Sequence, residues 1–422
     1  MRYGFFDDLN REYVVDRVDC PVSLTNYLGT QRMGAVLSHN AGGYCWLDSP
    51  QYHRITRFRP NGVPLDYPGH YVYLRDQDSG DYWSLSWQPT GRPLDKARYT
   101  CRHGMSYSTY TCDYQGLAAS QTLFIPREEN GGDPVEIFDV RIRNHSDTVR
   151  RISVTGYVEF SFHHVDIDNQ NFQMSLYATG SCMRNGAVLA EYHYEGDSYQ
   201  FFAGNFTPDS FDSQRDAFIG AYHTESNPIG VERGLLSGSA EKGGNPCGAL
   251  QKQLVLAPGE EARVLFYLGT GDETAAAKAR QKYDVSGTDA AFAALKAWWD
   301  QKLTVLTVQT PHQNMNRSLN IWNLYQSEIN VLFSRFSSFI EVGGRTGLGY
   351  RDTAQDAMCI PGAEPDGCRK RIQQLLHGQV SMGYGLHLFD PAWFEPCKAP
   401  AFKSPTVVPM PDKSSMIHGL KD

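Results

Sequence analysis

No stretch of this 422-residue sequence is basic, and acids outnumber bases, 47 Asp and Glu against 39 Lys and Arg, for a net charge of −8. Nucleic acids and anionic membrane surfaces are recognised by clustered cations, so neither is an expected partner. No apolar run reaches the roughly 20 residues that cross a bilayer. The opening Met1-Arg-Tyr-Gly-Phe-Phe-Asp-Asp8 does not read as a leader. Nine cysteines, an odd number, are scattered without CxxC spacing. They read as free, packed thiols, and a reducing cytoplasm is the expected compartment. Gly-Leu-Gly at 347–349 is not followed by Gly-Lys-Ser/Thr, which excludes a phosphate loop. No Ser/His/Asp or Cys/His arrangement is legible. The pair His163-His164, with Asp166 and Asp168 close by, sits on an expected strand, where adjacent side chains point to opposite faces. Neither a metal nor an organic cofactor is therefore expected.

The length exceeds one ordinary core and implies two or three domains. Aromatic residues are plentiful at 12%, with 24 Tyr, 21 Phe and 7 Trp. Rings of this kind stack on sugars, but cross-strand packing in large sheets accounts for most of them. Residues 1–270 alternate short runs of Val, Ile, Tyr, Phe and Thr with turn residues. Examples are Tyr71–Leu74, Ala118–Ile125, Val135–Ile142 and Arg151–Phe160. The pattern implies a large antiparallel β-sandwich. Gln251–Leu256 and Glu261–Leu268, joined through Pro258-Gly259, read as a hairpin. Helical patterns take over at 271–310. Asp272–Arg280 has acids first and bases last, and Thr288–Asp300 opens on a capping Thr. A third helix has Leu319, Trp322, Ile329 and Phe333 on its face, and a fourth, from Asp366 to Gln379, has Ile372, Leu375 and Leu376.

Between those last two helices lies the most unusual segment, Ser334 to Asp356. It holds Arg335, Arg345 and Arg351, the carboxylates Glu341, Asp352 and Asp356, and four glycines. Guanidinium forks alternating with carboxylates suit a polyhydroxylated ligand, because the forks donate to hydroxyls and the carboxylates accept from them. Glycine lets the backbone approach a ring. An Arg/Asp knot that only braces a helix start is the competing reading. The residues His39-Asn40 and Arg102-His103-Gly104 read as satisfied polar groups of the sandwich.

The segment Gly344-Arg-Thr-Gly-Leu-Gly-Tyr-Arg-Asp-Thr-Ala-Gln-Asp356 resembles the arginine loop of the inverting disaccharide phosphorylases, the family of cellobiose and N,N'-diacetylchitobiose phosphorylases. Thr25-Asn-Tyr-Leu-Gly-Thr30, Ser38-His-Asn-Ala-Gly-Gly-Tyr44 and Gly69-His-Tyr-Val-Tyr-Leu-Arg-Asp76 extend the likeness, which runs to the last residues. The wording of the loop, of 378–394 and of 403–409 is similar to the chitobiose branch.

The resemblance implies a β-sandwich at 1–270, a helical linker at 271–310 and, at 311–422, the first part of an (α/α)6 barrel. It also implies a cytoplasmic homodimer and an inverting phosphorolysis of a β-linked disaccharide, with inorganic phosphate as co-substrate and no cofactor. N,N'-diacetylchitobiose is the implied substrate, giving GlcNAc-1-phosphate and GlcNAc. Cellobiose-type specificity and a non-catalytic carbohydrate-binding or assembly protein are the alternatives. Arg335, Arg345, Arg351 and Asp352 match the family's donor-sugar residues. The family's general acid, an Asp in a Trp-Asn-Asp stretch, has no counterpart; Trp322-Asn323-Leu324 breaks the motif. The acid and the phosphate site are thus expected beyond Asp422, leaving no catalytic residue in this chain.

Overall fold

The computed structural model describes residues 2–59, 66–127, 133–170, 177–193, 197–333, 337–344, 347–379 and 383–389. The chain divides into two compact units, Met1–Lys296 and Ala297–Asp422.

The first unit is built on two antiparallel sheets. Among the described residues, ten strands follow one another in space in the first sheet: Gly4–Asp7, Glu12–Val15, Arg98–Gly104, Tyr107–Tyr114, Leu117–Phe124, Val135–Asn144, Glu261–Thr270, Ser198–Gly204, Ala187–Tyr192 and Thr179–Arg184. The second has nine. Ser210–Gln214, Pro246–Leu256 and Arg150–His163 lead to Arg54–Thr56, Gly43–Leu47, Met33–Ser38 and Thr25–Gly29, while Tyr71–Asp76 and Tyr82–Ser84 branch from Arg150–His163. Leu117–Phe124 alternates buried and half-buried positions, as a strand with one face on a core does. Met33–Ser38 and Gly43–Leu47 are buried throughout, and so are covered on both faces.

The two sheets meet over aromatic rings. Phe202 and Phe266 stack with centroids 5.5 Å apart and planes 4° apart. The second sheet makes room for them with glycine: a Cβ on Gly156 would lie 2.8 Å from the Phe266 ring, and one on Gly248 would lie 2.5 Å from Phe202. Burying such a ring contributes roughly 1.5–3 kcal/mol.

The expected hairpin at Pro258-Gly259 is not one. Pro246–Leu256 pairs with Arg150–His163, whereas Glu261–Thr270 pairs with Val135–Asn144, so the turn carries the chain from one sheet to the other. Asn144 fixes this corner. Its side-chain amide donates to the carbonyls of Thr148, Leu256 and Ala257, and its backbone carbonyl accepts from Gly259 N at 2.8 Å. Pro-Gly specifies that the chain turns, not whether it turns within a sheet or across the core.

Helix Glu273–Lys282 is capped by Asp272, whose carboxylate accepts from Thr274 N and Ala275 N. Helix Val285–Leu303 begins one turn before the expected Thr288 cap. Asp284 takes that role, accepting from Gly287 N at 2.7 Å, while Thr288 is buried and donates its hydroxyl to Tyr283 O at 3.0 Å.

In the second unit, helix Gln313–Arg317 runs through a π turn, Ser318–Trp322, into helix Asn323–Phe333. The wider π turn rotates the chain before it relative to the chain after it. The buried face is consequently Ile321, Tyr325, Ile329 and Phe333, and the expected Leu319 is exposed. Helices Tyr350–Ala357 and Pro365–His377 follow. In the latter only Leu375 of the expected face is buried; Ile372 and Leu376 are exposed, and Arg371 is buried instead. The Arg371 guanidinium donates to Val331 O, one of the last-turn carbonyls that helix Asn323–Phe333 leaves open, and to Gln374 Oε1.

Candidate sugar-binding site

The arginine loop is organised by short-range hydrogen bonds. Ser338 Oγ accepts from Ile340 N at 3.2 Å and from Glu341 N at 3.1 Å, and Gly344 N donates to Glu341 O at 3.0 Å. Val342 is left-handed, with φ 55°, ahead of Gly343 with φ 62°. A β-branched residue pays roughly 1–2 kcal/mol there, and such local strain gathers in functional loops.

Beyond Gly347, with φ 107°, the two-residue strand Leu348–Gly349 pairs with Leu388–Phe389. Leu348, Leu375, Leu386 and Phe389 form a small core beneath it, with Tyr350 and Ala354 packed on top. Space for those rings again comes from glycine. A Cβ on Gly378 would lie 2.3 Å from the Phe389 ring, and one on Gly385 would lie 2.6 Å from Tyr350. This packing fixes the start of helix Tyr350–Ala357.

Arg351 and Asp352 stand in that helix's first turn. Nε and Nη2 of Arg351 donate to Asp352 Oδ1 at 3.2 and 2.9 Å, and the arginine side chain is 83% exposed. Asp352 suits the positive end of the helix dipole; Arg351 opposes it. An exposed pair of this kind contributes about 0–1 kcal/mol, too little for a structural brace. The structure thus brings Arg351 and Asp352 together at an accessible helix start. Arg335 and Arg345 lie outside the described residues.

A second arginine cluster, which the sequence reading missed, surrounds the buried Glu159 in the sandwich unit. Arg57 grips Asp168 with two hydrogen bonds of 2.9 and 2.7 Å, and Arg57, Arg59 and Arg215 all reach Glu159. Burial alone would raise the Glu159 pKa, but the guanidiniums of Arg59, Arg57 and Arg215 hold it down to about 2. Arg215 also pairs with Glu225 at 3.1 Å, so three guanidiniums meet three carboxylates and the cluster braces the sheet. Its members come from positions 57 to 225, and no local pattern announces them.

The buried histidines are also satisfied. His39 Nδ1 accepts from Leu24 N at 3.2 Å. His103 contacts Ser108 Oγ at 2.8 Å and Leu24 O at 3.0 Å, and burial pushes its pKa down to about 3. Cys45, His70 and Glu136 are the potential metal donors that converge among the described residues. The two nitrogens of His70 are, however, already engaged by Glu136 Oε1 at 3.0 Å and by Thr56 Oγ1 at 3.1 Å. Of the sequence's His163-His164 group, Asp168 is spent on Arg57, and the His163 side chain lies outside the described residues.

Comparison with known proteins gives this layout its class. The glycosyl hydrolase 94 supersandwich domain matches residues 11–285, and the catalytic domain of the glycosyl hydrolase 94 superfamily matches residues 298–422. The chain belongs to the glycosyl hydrolase 94 family. It is an antiparallel β-sandwich followed by the first part of an (α/α)6 barrel.

Among individual proteins, the chain is 54% identical over its whole length to the N,N'-diacetylchitobiose phosphorylase of Vibrio proteolyticus and 52% identical to that of Vibrio furnissii. It spans about half the length of these curated relatives, 53% of each. A solabiose phosphorylase of Paenibacillus borealis is 28% identical over 90% of the chain and 48% of its own length. Among solved structures, a bacterial glucoamylase complexed with acarbose superposes over 88% of this chain and 52% of its own at a TM-score of 0.56. With 9% identity, that likeness is one of fold.

Proposed function

We propose that this chain is the N-terminal part of an inverting β-glycoside phosphorylase that converts N,N'-diacetylchitobiose and phosphate to α-GlcNAc-1-phosphate and GlcNAc. The 54% identity along the whole chain to a phosphorylase of that name carries the reading. A phosphate oxygen attacks the anomeric carbon from the face opposite the glycosidic oxygen. The C1–O bond breaks, and a carboxylic acid gives its proton to the departing oxygen, so the β linkage ends as an α-phosphate. Phosphate is the nucleophile, so one protein carboxylic acid suffices and no cofactor is required.

Within this scheme Arg335, Arg345, Arg351 and Asp352 hold the donor sugar. Arg351 donates its fork to hydroxyls and Asp352 accepts from them. The division is sandwich 1–270, helical linker 271–310 and barrel portion 311–422. The eight cysteines among the described residues are free thiols, which suits work in a reducing cytoplasm. The homodimer rests on family resemblance. No described helix is long and apolar enough to cross a membrane.

The test has two parts. Incubated with N,N'-diacetylchitobiose and phosphate, the 422-residue chain should release no GlcNAc-1-phosphate, because no Trp-Asn-Asp acid stands in it and such an acid contributes about 10²–10⁴-fold. It should nevertheless bind GlcNAc more tightly than glucose in an NMR titration. Sugar phosphate release would place the acid within this sequence, and equal indifference to both sugars would remove the donor subsite.

A further inference from the structure

Three donors of the kind that hold a transition metal meet in the core of the sandwich unit. Cys45 lies on Gly43–Leu47 and His70 just ahead of Tyr71–Asp76, both in the second sheet, while Glu136 lies on Val135–Asn144 of the first. All three are fully buried, and one ligand atom from each lies within 4.8 Å of the others. Thr56 Oγ1 accepts from Cys45 N at 2.9 Å, donates to Cys45 Sγ at 3.5 Å and lies 3.1 Å from His70 Nε2. Its one hydrogen is spent on sulfur, so Nε2 carries the proton that joins His70 to Thr56. His70 Nδ1 then aims a lone pair at Glu136 Oε1, 3.0 Å away, and something positive must lie between the two. Glu136 Oε2 is buried and has no hydrogen-bond partner among the described residues. Phe138 stacks on the His70 ring with centroids 5.6 Å apart, which keeps the surroundings apolar. A proton between Nδ1 and Oε1 would leave Oε2 and the Cys45 sulfur unused. A divalent cation uses all three donors.

We propose that Cys45, His70 and Glu136 hold one zinc ion, which ties the two sheets of the sandwich together. Zinc accepts thiolate, imidazole and carboxylate ligands. Two ligands about 2.0 Å from the ion in a tetrahedron stand about 3.3 Å apart, close to the separation of Nδ1 and Oε1. The ion takes the place of the proton between His70 and Glu136. That proton and the Cys45 thiol proton leave for solvent, so thiolate and carboxylate balance the two positive charges. The hydrogen bond from Nε2 to Thr56 remains and fixes the tautomer that coordinates through Nδ1, as outer-shell partners of metal-bound histidines do. Gln121 Nε2, donating to His70 O at 3.0 Å, holds the same residue from the first sheet. Zinc with three protein ligands keeps a fourth position for water.

The experiment refolds the 422-residue chain with zinc, or with cobalt(II) as a coloured probe, and removes loosely held metal by gel filtration. One equivalent of metal per chain is expected, with a thiolate-to-cobalt absorption band in the near ultraviolet. Chain refolded with a chelator should melt about 2–4 °C lower. Cys45→Ser should abolish the band, and Glu136→Gln or His70→Asn should weaken metal retention about tenfold or more. Cys368→Ser, at a buried thiol of the helical unit, should change neither. Circular dichroism shows whether each variant folds; where one does not, the metal content and melting temperature of the unaltered chain decide alone. Two results would overturn the proposal. One is a folded chain that retains no zinc and melts at the same temperature with and without it, in which case a proton alone joins His70 to Glu136. The other is a cobalt band that survives Cys45→Ser. Metal is read without turnover, in the unit that does not carry Arg351, so its failure leaves the phosphorylase reading to its own test.

Discussion

The sandwich unit and the helical unit solve the burial problem in different ways. Strands of the first close on each other through two sheets, and one continuous core runs from Val15 to Leu268. Its buried charges include paired ones, as the Arg57–Glu159–Asp168 cluster shows. The helical unit has small separate cores, one around Leu348 and Phe389 and another around Val331 and Ile360, and shows Leu306, Met358 and Leu376 to solvent. A sheet satisfies its neighbours through the backbone, whereas a helix presents a stripe that needs a lateral partner. Apolar side chains therefore carry different weight in the two units.

Truncation is the sharpest way to break the comparison. Phe202→Ala removes a stacked ring from a packed interior and should cost about 3–5 kcal/mol. Ile372→Ala removes an exposed side chain and should stay within about 0.5 kcal/mol. Urea unfolding, followed by fluorescence and circular dichroism, measures both. Comparable losses would mean that the Ile372 face is covered in solution.

Acid should also separate the units, by a smaller amount. The sandwich buries His39, His70 and His103, whereas His312, His377 and His387 of the helical unit are exposed. His103 is held neutral, with a folded pKa of about 3 against an ordinary 6.5. Between those values the unfolded chain binds a proton that the folded chain refuses. The stabilisation is therefore complete above pH 6.5 and is lost as the pH falls toward 3, by about 2 kcal/mol between pH 6.5 and 5. Glu159, with a folded pKa of about 2 against 4.5, adds a loss only below pH 4.5. His103→Asn should flatten the first slope and leave the second. An unchanged slope from pH 6.5 to 5 would show that His103 does not dominate it.

Much of the architecture was legible because it is local. Val135–Ile142 and Arg151–Phe160 announce strands by their own composition, and Asp272–Arg280 announces a helix. What escaped depends on distant partners or on a single inserted residue. Pro258-Gly259 marks a turn, but only the pairing of its flanks with Val135–Asn144 and Arg150–His163 makes it a crossing between sheets. The π turn at Ser318–Trp322 shifted the expected face of the third helix. Arg371 displaced Ile372 from the interior because a carbonyl at the end of another helix required a donor. At the candidate site, the types and spacing of Arg351 and Asp352 were visible in the sequence. The exposure of the Arg351 side chain was not, and that exposure is what weighs against a structural brace.

Small effects on stability are expected at that pair as well. Asp352→Asn and Arg351→Lys should each change the melting free energy by less than about 1 kcal/mol, because the ion pair is solvated. Arg351→Gln should raise stability by roughly 0.3–1 kcal/mol, since it removes a cation from the positive end of a helix dipole. Affinity for GlcNAc should move the other way. Charge-assisted hydrogen bonds contribute roughly 1.5–3 kcal/mol, so Asp352→Asn should weaken binding about ten- to hundredfold. Arg351→Lys should do likewise, because an ammonium cannot reproduce the planar fork. Melting curves and NMR titrations on the same variants separate the two roles. A collapse in melting temperature with affinity intact in the remaining folded fraction would return Arg351 and Asp352 to a purely structural part. Lost affinity at an unchanged or higher melting temperature would mark a residue kept at the expense of helix stability for the sugar it holds.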